Sequence, residues 1–320
     1  MPSETTRVMS TMTCSAYRLW CVLPALLAWA IDTAQAAPPY RPAYIDEPFQ
    51  CRAQPLPAVV QHLTGEAWKL DAKGRAQPLL EGMSIDEQEG VKTSTSAFVS
   101  LRLGDGSRVV LPSSSQVRLH WLQKQAIPQV ILEQGQVETY VIKRAGDYDR
   151  FQIVTPVGVL GVRGTHFRVR NDGEQSVLEV LNGQVAVNRA EDSAAAEVKV
   201  GARQGLLIKQ QGELKAVELL PAPVLIGQDG QKGQSPVWSL YLRPLPGAQR
   251  YRAQVATDSA FMNIKQEYFS SEPKMRFTGL KASFYHVRLS AYDARGLEGE
   301  TGVYDIFYYP PATQAQASGG

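Results

Sequence analysis

Four histidines, His62, His120, His166 and His286, are the side chains best suited to hold a metal or move a proton. No two of them stand at a metal-ligand spacing, and none lies near Cys51, so we expect no metal site. His166 and His286 alternate with aromatics in THFRV and FYHVRL, which places them on the outer face or the core edge of strands. Gly158, Gly161 and Gly164 invite comparison with a phosphate cradle. A dinucleotide fingerprint needs G-x-G-x-x-G between a strand and a helix, whereas here a strand pattern follows and no Lys-Ser/Thr ending is present. Ser113, Ser114 and Ser115 lack a G-x-S-x-G elbow. Asp105 and Asp147 have no partner carboxylate that the sequence can place. The expectation is a non-enzymatic chain with no catalytic residue and no cofactor.

Arginines are the remaining candidates. Arg144, Arg150, Arg163, Arg168 and Arg170 cluster in sequence, and could form a positive patch for an anionic partner such as a cell-wall polymer, or simply a solvated outer face. Arg163 either projects to solvent or ties a chain corner through its guanidinium fork; the structural role is the one expected. Arg163, Arg168 and Arg170 are retained as candidate contacts to a partner.

These residues need elements to hold them. In Thr155–Arg170, TPVGVLGVRGTHFRVR, alternation starts at Thr165 and puts Phe167 and Val169 on one face and the arginines on the other. The glycines upstream suit a bend, so the stretch reads as strand, corner, strand. Gly104-Asp105-Gly106 between LRL and VVL is a hairpin tip, with Asp-Gly suited to a two-residue turn. Gly135 and Gly183 sit alike in LEQGQVETYV and LEVLNGQVAVN, hinting at a repeated glycine-turned hairpin. Turn signals recur along Val59–Ile208, the pattern of an all-β sandwich or barrel-like fold.

The chain has 320 residues, 44% hydrophobic and 20% charged, with 33 basic against 31 acidic side chains and a net charge of +2. That length implies about two domains, and the balance gives no reason to expect nucleic acid. Arg7 and Arg18, the apolar run Leu19–Ile31 and Ala34-Gln35-Ala36 read as a signal peptide cleaved before Ala37. No transmembrane span would survive that cleavage; an uncleaved anchor is the alternative. Cys14 and Cys21 leave with the signal, stranding Cys51 in an oxidising compartment where a mixed disulfide with a partner could form. The expected organisation is a signal peptide over 1–36, a proline-rich leader over 37–57 and a β domain over 58–218. A linker over 219–236, a second β domain over 237–309 and a disordered tail over 310–320 follow. The second domain is dense in aromatics, from Trp238 to Tyr309, which helps a small domain hold a core.

The ordered series LRLGDGSRVVLPSSSQVRL, VILEQGQVETYVI, FQIVTPVGVLGVRGTHFRVR and VLEVLNGQVAVN closely resembles the FecR domain, across Val59–Asn188. The matching signature is Asp105, Gly106, Thr155, Pro156, Gly161, Arg163, Gly164, Thr165, Phe167 and Gly183, residues whose role is mainly structural. The resemblance implies an all-β periplasmic domain of short strands, a sandwich or roll, that works by binding. In that family such a domain receives a signal from an outer-membrane protein. Only about 18 residues precede the apolar run, which leaves no room for the family's cytoplasmic anti-sigma segment. The C-terminal region resembles a fibronectin type III-like β-sandwich: Trp238 opens a strand, and FYHVRLSAYDARGLEGE matches a late strand and turn. The function expected is periplasmic binding or adaptation in envelope signalling. The partner would be a periplasmic or outer-membrane protein, met in part by strand addition at an exposed edge. A peptidoglycan- or polysaccharide-binding module is the alternative.

Overall fold

The structure, a computed structural model, describes residues 57–122, 127–143, 151–190, 197–231 and 237–309. The stretch read as a signal peptide, the leader up to residue 56 with Cys51, the residues Arg144, Asp147 and Arg150, and the C-terminal tail lie outside the described residues. The described chain is all-β and falls within one compact unit. No helix in it is long and apolar enough to cross a membrane.

Short apolar runs punctuated by turns give the first strands: β1 (Ala58–Thr64), β2 (Ala67–Leu70), β3 (Ala76–Pro78), β4 (Ser84–Ile85) and β5 (Gly90–Thr93). Next come β6 (Phe98–Arg102), β7 (Arg108–Leu111), β8 (Gln116–Leu122) and the long β9 (Ile127–Tyr140). β10 (Phe151–Thr155), β11 (Gly158–Val162), β12 (His166–Asn171) and β13 (Gln175–Asn182) follow. β14 (Gln184–Arg189), β15 (Val198–Gly201), β16 (Gln204–Lys209) and β17 (Val217–Glu218) complete the N-terminal region.

These strands form one 17-stranded sheet folded into two layers. Layer A contains β4, β1, β6, β7, β9, β12, β13, β16 and β17 in spatial order. Layer B contains β3, β2, β5, β8, β9, β10, β11, β14 and β15. β9 belongs to both: its first half pairs with β8 and β10, its second with β7 and β12. Gly135, at φ +83°, lies where β9 changes layer, and a Cβ there would stand 2.4 Å from the Ser114 carbonyl oxygen. Between the layers Val137, Phe167, Val169, Leu178 and Val180 of layer A meet Leu132, Ile153, Leu160, Val185 and Val187 of layer B in one core.

Several local expectations change. Thr155–Arg170 is not one corner between two strands but two turns flanking a third strand, β11, which contains Gly158 and Gly161. Thr155 is buried, with its hydroxyl bonded to both backbone groups of Gly158, while Pro156 is exposed. The true corner is Arg163–Thr165, where the chain leaves layer B for layer A. Gly135 and Gly183 likewise sit at crossings between layers, not at hairpin tips. Gly183, between β13 and β14, lies against the Arg163–Thr165 corner, and Thr165 Oγ1 donates to the Gln184 carbonyl at 2.9 Å. The β6–β7 turn has three residues rather than two, Gly104 to Gly106, with Asp105 accepting bonds from the Ser107 amide and hydroxyl.

The C-terminal region has β18 (Leu225–Gln231), β19 (Val237–Leu242), β20 (Arg250–Ala256), β21 (Ile264–Ser270), β22 (Lys274–Thr278), β23 (Ser283–Tyr292) and β24 (Gly302–Tyr308). They make a three-stranded sheet in the order β18-β19-β22 and a four-stranded one in the order β21-β20-β23-β24. Trp238, Leu240, Tyr251, Val255, Phe277, Val287 and Leu289 fill the space between. β18 occupies part of the stretch read as a linker: its Gly and Gln content looks loop-like, yet it pairs along β19 and its Gln228 side chain accepts a bond from the Trp238 indole.

Gly164 has φ +61°, and a Cβ there would approach Lys143 Cβ to 2.8 Å; Gly161 has extended backbone, and its nearest such contact is 3.9 Å away. Gly164→Val should therefore cost about 1–3 kcal/mol. Gly161→Ala should be neutral or stabilising by up to about 1 kcal/mol. Chemical denaturation of the two variants checks both, and an unchanged midpoint for Gly164→Val would refute the corner.

Candidate functional site

Strand alternation decides which charges meet. On β12, Phe167 and Val169 point into the two-layer core, so His166, Arg168 and Arg170 take the opposite face. On β9 the same face shows Gln136, Glu138 and Tyr140, and on β13 it shows Glu179. β20 sends Tyr251, Ala253 and Val255 into its own core and leaves Arg250, Arg252 and Gln254 outside. β23 likewise leaves Arg288, Ser290 and Tyr292 outside. The outer face of layer A and the outer face of β20–β23 lie against each other, and these charges are sealed between them.

Arg168, expected at the surface as a partner contact, is 1% exposed. It ion-pairs with Glu298 Oε1 at 2.7 Å and donates to the carbonyls of Glu298 and Gly299 at 2.8 and 2.7 Å. The expectation of a solvated or intermolecular role is thus corrected: its partner is the C-terminal region of its own chain. Alternation identified the correct face but could not say what covers it. Arg170 is half-buried and donates to the Gly296 carbonyl at 2.8 Å. Arg163 is exposed at its corner, away from this face. Of the three arginines, the structure brings Arg168 and Arg170 together and leaves Arg163 apart.

Glu298 is the hub. Arg252 Nη1 lies 3.1 Å from its Oε2, Ser290 donates to Oε1 at 2.5 Å and Tyr292 to Oε2 at 3.0 Å. Burial alone would raise its pKa, but the Arg168 and Arg252 guanidiniums overcome that and hold the carboxyl at about 2. Arg252 also grips Glu267 at 2.8 Å, and Ser113 from the N-terminal region donates to the other Glu267 oxygen. A second pair stands beside the hub: Arg288 binds Glu138 in fork geometry at 2.5 and 2.6 Å, lies over the Phe261 ring and also donates to Gln254. Burial opposes ionisation of Glu138, yet Arg288 and His166 keep it well below the usual range. His166 stacks on Tyr140 and meets Glu138 at 2.7 Å, while its burial lowers its own pKa.

Three guanidiniums, Arg168, Arg252 and Arg288, face three carboxylates, Glu138, Glu267 and Glu298. Glu179 is the surplus acid. Its Oε1 accepts the Glu298 amide at 3.0 Å, but Oε2 lies 3.9 Å from Arg168 Nε, which itself has no hydrogen bond. Burial, together with the nearby Glu298 charge and only partly offset by Arg168, raises Glu179 to about 7. Apolar clusters flank the charged centre. Phe98 and Val110 meet Ala256, Phe261, Met262 and Ile264 on one side; Val177 and Leu219 meet Leu297 on the other.

The same face opens at its rim into a cleft of about 530 Å³ lined by Gln136, Arg170, Gln249, Arg250, Phe269 and Tyr292, among others. No cluster of three or more metal-ligating side chains occurs among the described residues. His62, His120 and His286 each face a single carboxylate instead: Glu81, Glu87 and Asp305. Sequence reading missed Glu138, Glu179, Arg252, Arg288 and Glu298. The available signal was a charged side chain inside otherwise apolar runs, as in LEVL, YRAQVA and HVRLSAY.

Removing one member of a buried pair strands the other, so Arg288→Met alone should destabilise by about 3–5 kcal/mol, and adding Glu138→Gln should restore much of that. A double-mutant cycle by denaturant titration measures it. Glu179 holds its proton more tightly folded than unfolded. Its stabilising contribution is complete below its ordinary value of 4.5 and is lost as pH rises through about 7. Glu179→Gln should flatten that loss and raise Tm at pH 8 by about 5 °C, with little change at pH 4; calorimetry at the two pH values checks it.

Comparison with known proteins places these strands. No curated protein matches the chain. A crystal structure of a candidate anti-sigma factor from Parabacteroides distasonis ATCC 8503 is 19% identical, with a TM-score of 0.34 over 40% of this chain and 59% of its own. The extracellular domain of a candidate hybrid two component system from B. thetaiotaomicron is 9% identical, with a TM-score of 0.19 over 67% of this chain and 43% of its own. The matched part thus spans under two thirds of either protein. Residues 89–186, from the start of β5 to the middle of β14, match the family described as FecR protein, and that segment contains Glu138, His166, Arg168 and Glu179.

Proposed function

We propose that this chain is a non-enzymatic periplasmic binding or adaptor protein of envelope signalling, acting through recognition of another protein. The observation that carries the reading is the FecR match over 89–186. The C-terminal region, read as a fibronectin type III-like sandwich, supports it by the way it is attached. Its three-on-four strand arrangement suits such a sandwich, and the guanidinium–carboxylate network fixes it to the FecR-like layer as a single receiving surface. The same network gives no support to catalysis. Its carboxylates are sealed between sheets, where a substrate cannot reach them, and each acid is committed to an arginine or a backbone amide. β24, which among the described residues pairs only with β23, offers an edge for strand addition.

A second reading, attachment to cell-wall polymer, is favoured by one observation. Phe284 and Phe307 pair across β23–β24 and are 48% and 64% exposed, with Tyr309 nearby in sequence at 72%, the kind of aromatic patch that marks a contact surface.

A pull-down from envelope extract with the mature chain, beside Cys51→Ser, tests the first reading. A specific envelope protein should be retained by both versions, and loss in Cys51→Ser alone would reveal a mixed disulfide. Co-sedimentation with purified sacculi tests the second: retention there, with no protein captured, would replace the signalling reading.

A further inference from the structure

The cleft at the rim of the charged interface joins the two regions. Arg170 enters it from β12 and Arg250 from β20. Each guanidinium lies over an aromatic ring, Arg170 5.9 Å from the Tyr292 centroid and Arg250 4.0 Å from that of Phe269. A guanidinium laid on a ring keeps its N–H edge free for planar acceptors. Arg170 spends one donor on Gly296, and Arg250 has no carboxylate partner among the described residues. Asp293, the one carboxylate in the lining, is taken up by Arg295 and by the amides of Arg295 and Leu297. The cleft therefore presents positive charge, with that of Arg170 partly offset by Asp172 and Glu179; it adds the amide of Gln249 and that of Gln136, whose Nε2 also reaches Glu298 Oε2 at 3.4 Å.

We propose that this cleft is a peptide-binding site for an acidic segment of a partner protein, with carboxylates engaging Arg170 and Arg250 together. The inference rests on the protein-recognition reading above and names the chemistry of its partner. Its volume of about 530 Å³ suits a few side chains, and Gln136 and Gln249 can bond a peptide backbone. Sugars are a poorer fit, because guanidiniums already cover the ring faces on which a sugar would stack. Nucleic acid is disfavoured by a net charge of only +2. Because one arginine comes from each region, bound peptide would bridge them.

The test uses the chain as recovered from the periplasm and a randomised heptapeptide library. Selected peptides should be enriched in Asp and Glu. The best of them should bind at least about tenfold more weakly when its acids become amides, or when the protein carries Arg250→Gln; one lost charge-assisted contact is of that size. Arg250 is exposed and outside the buried network, so Tm of that variant should be unchanged, separating lost contact from lost fold. Arg170→Lys gives a second reading, since a point charge cannot replace the planar fork. Failure to select any peptide, selection without acidic enrichment, or binding that survives Arg250→Gln would each overturn the proposal. Retention on sacculi that disappears in Arg250→Gln, with no acidic peptide selected, would assign the cleft to cell-wall polymer and also overturn it. If acidic peptides bind as expected but envelope extract yields no protein, the signalling reading fails and the cleft assignment stands.

Discussion

One carboxylate holds the two regions of this chain in register. Glu298 follows the turn after β23, and around it converge Arg168 from the FecR-like layer, Arg252 from the facing sheet, and the hydroxyls of Ser290 and Tyr292. Its backbone is used as well: the carbonyl accepts Arg168 and the amide donates to Glu179. Almost every hydrogen-bonding position of the residue faces a partner, which is what a charge in so dry a place requires. Net stabilisation from such a group is modest, because desolvation cancels much of the attraction. Its effect is on geometry, since displacement of either region by a few ångströms would leave several charges buried without partners.

Division of labour follows. Phe98, Val110, Phe261 and Ile264 on one flank, and Val177, Leu219 and Leu297 on the other, supply non-directional burial. The central guanidiniums select the one alignment in which forks meet carboxylates. Gly205 contributes by omission: a Cβ there would stand 2.8 Å from side-chain carbons of both Leu219 and Leu297, so the bare backbone lets the C-terminal region approach closely.

The all-β class, the hairpin at Asp105 and the inward direction of Phe167 and Val169 were legible because each depends on residues close in sequence. In the C-terminal region the strand opened by Trp238 and the late strand in FYHVRLSAYD were legible for the same reason, and they correspond to β19 and β23. What could not be read was the destination of the other face. RVR in a strand has the same pattern whether its arginines meet water or a second sheet, and Glu138 and Arg288 are 150 positions apart. Gly135 and Gly183 looked like hairpin tips because a glycine between two alternating runs has that pattern, and a change of layer shares it. β18 was hidden by composition: Gly227 and Gly230 weaken its strand signal, and its pairing is supplied by β19.

The sealed face has a further consequence for the order in which the chain assembles. Synthesis delivers the N-terminal strands first, so layer A can form while residues 250–300 are still to come. During that interval its outer surface is bare. Had the centre of that surface been built from leucine and phenylalanine, the half-finished molecule would carry a broad adhesive sheet. Glu138, Arg168 and Glu179 instead make the middle of that face polar, so the surface that the C-terminal strands cover is wettable at its centre rather than adhesive.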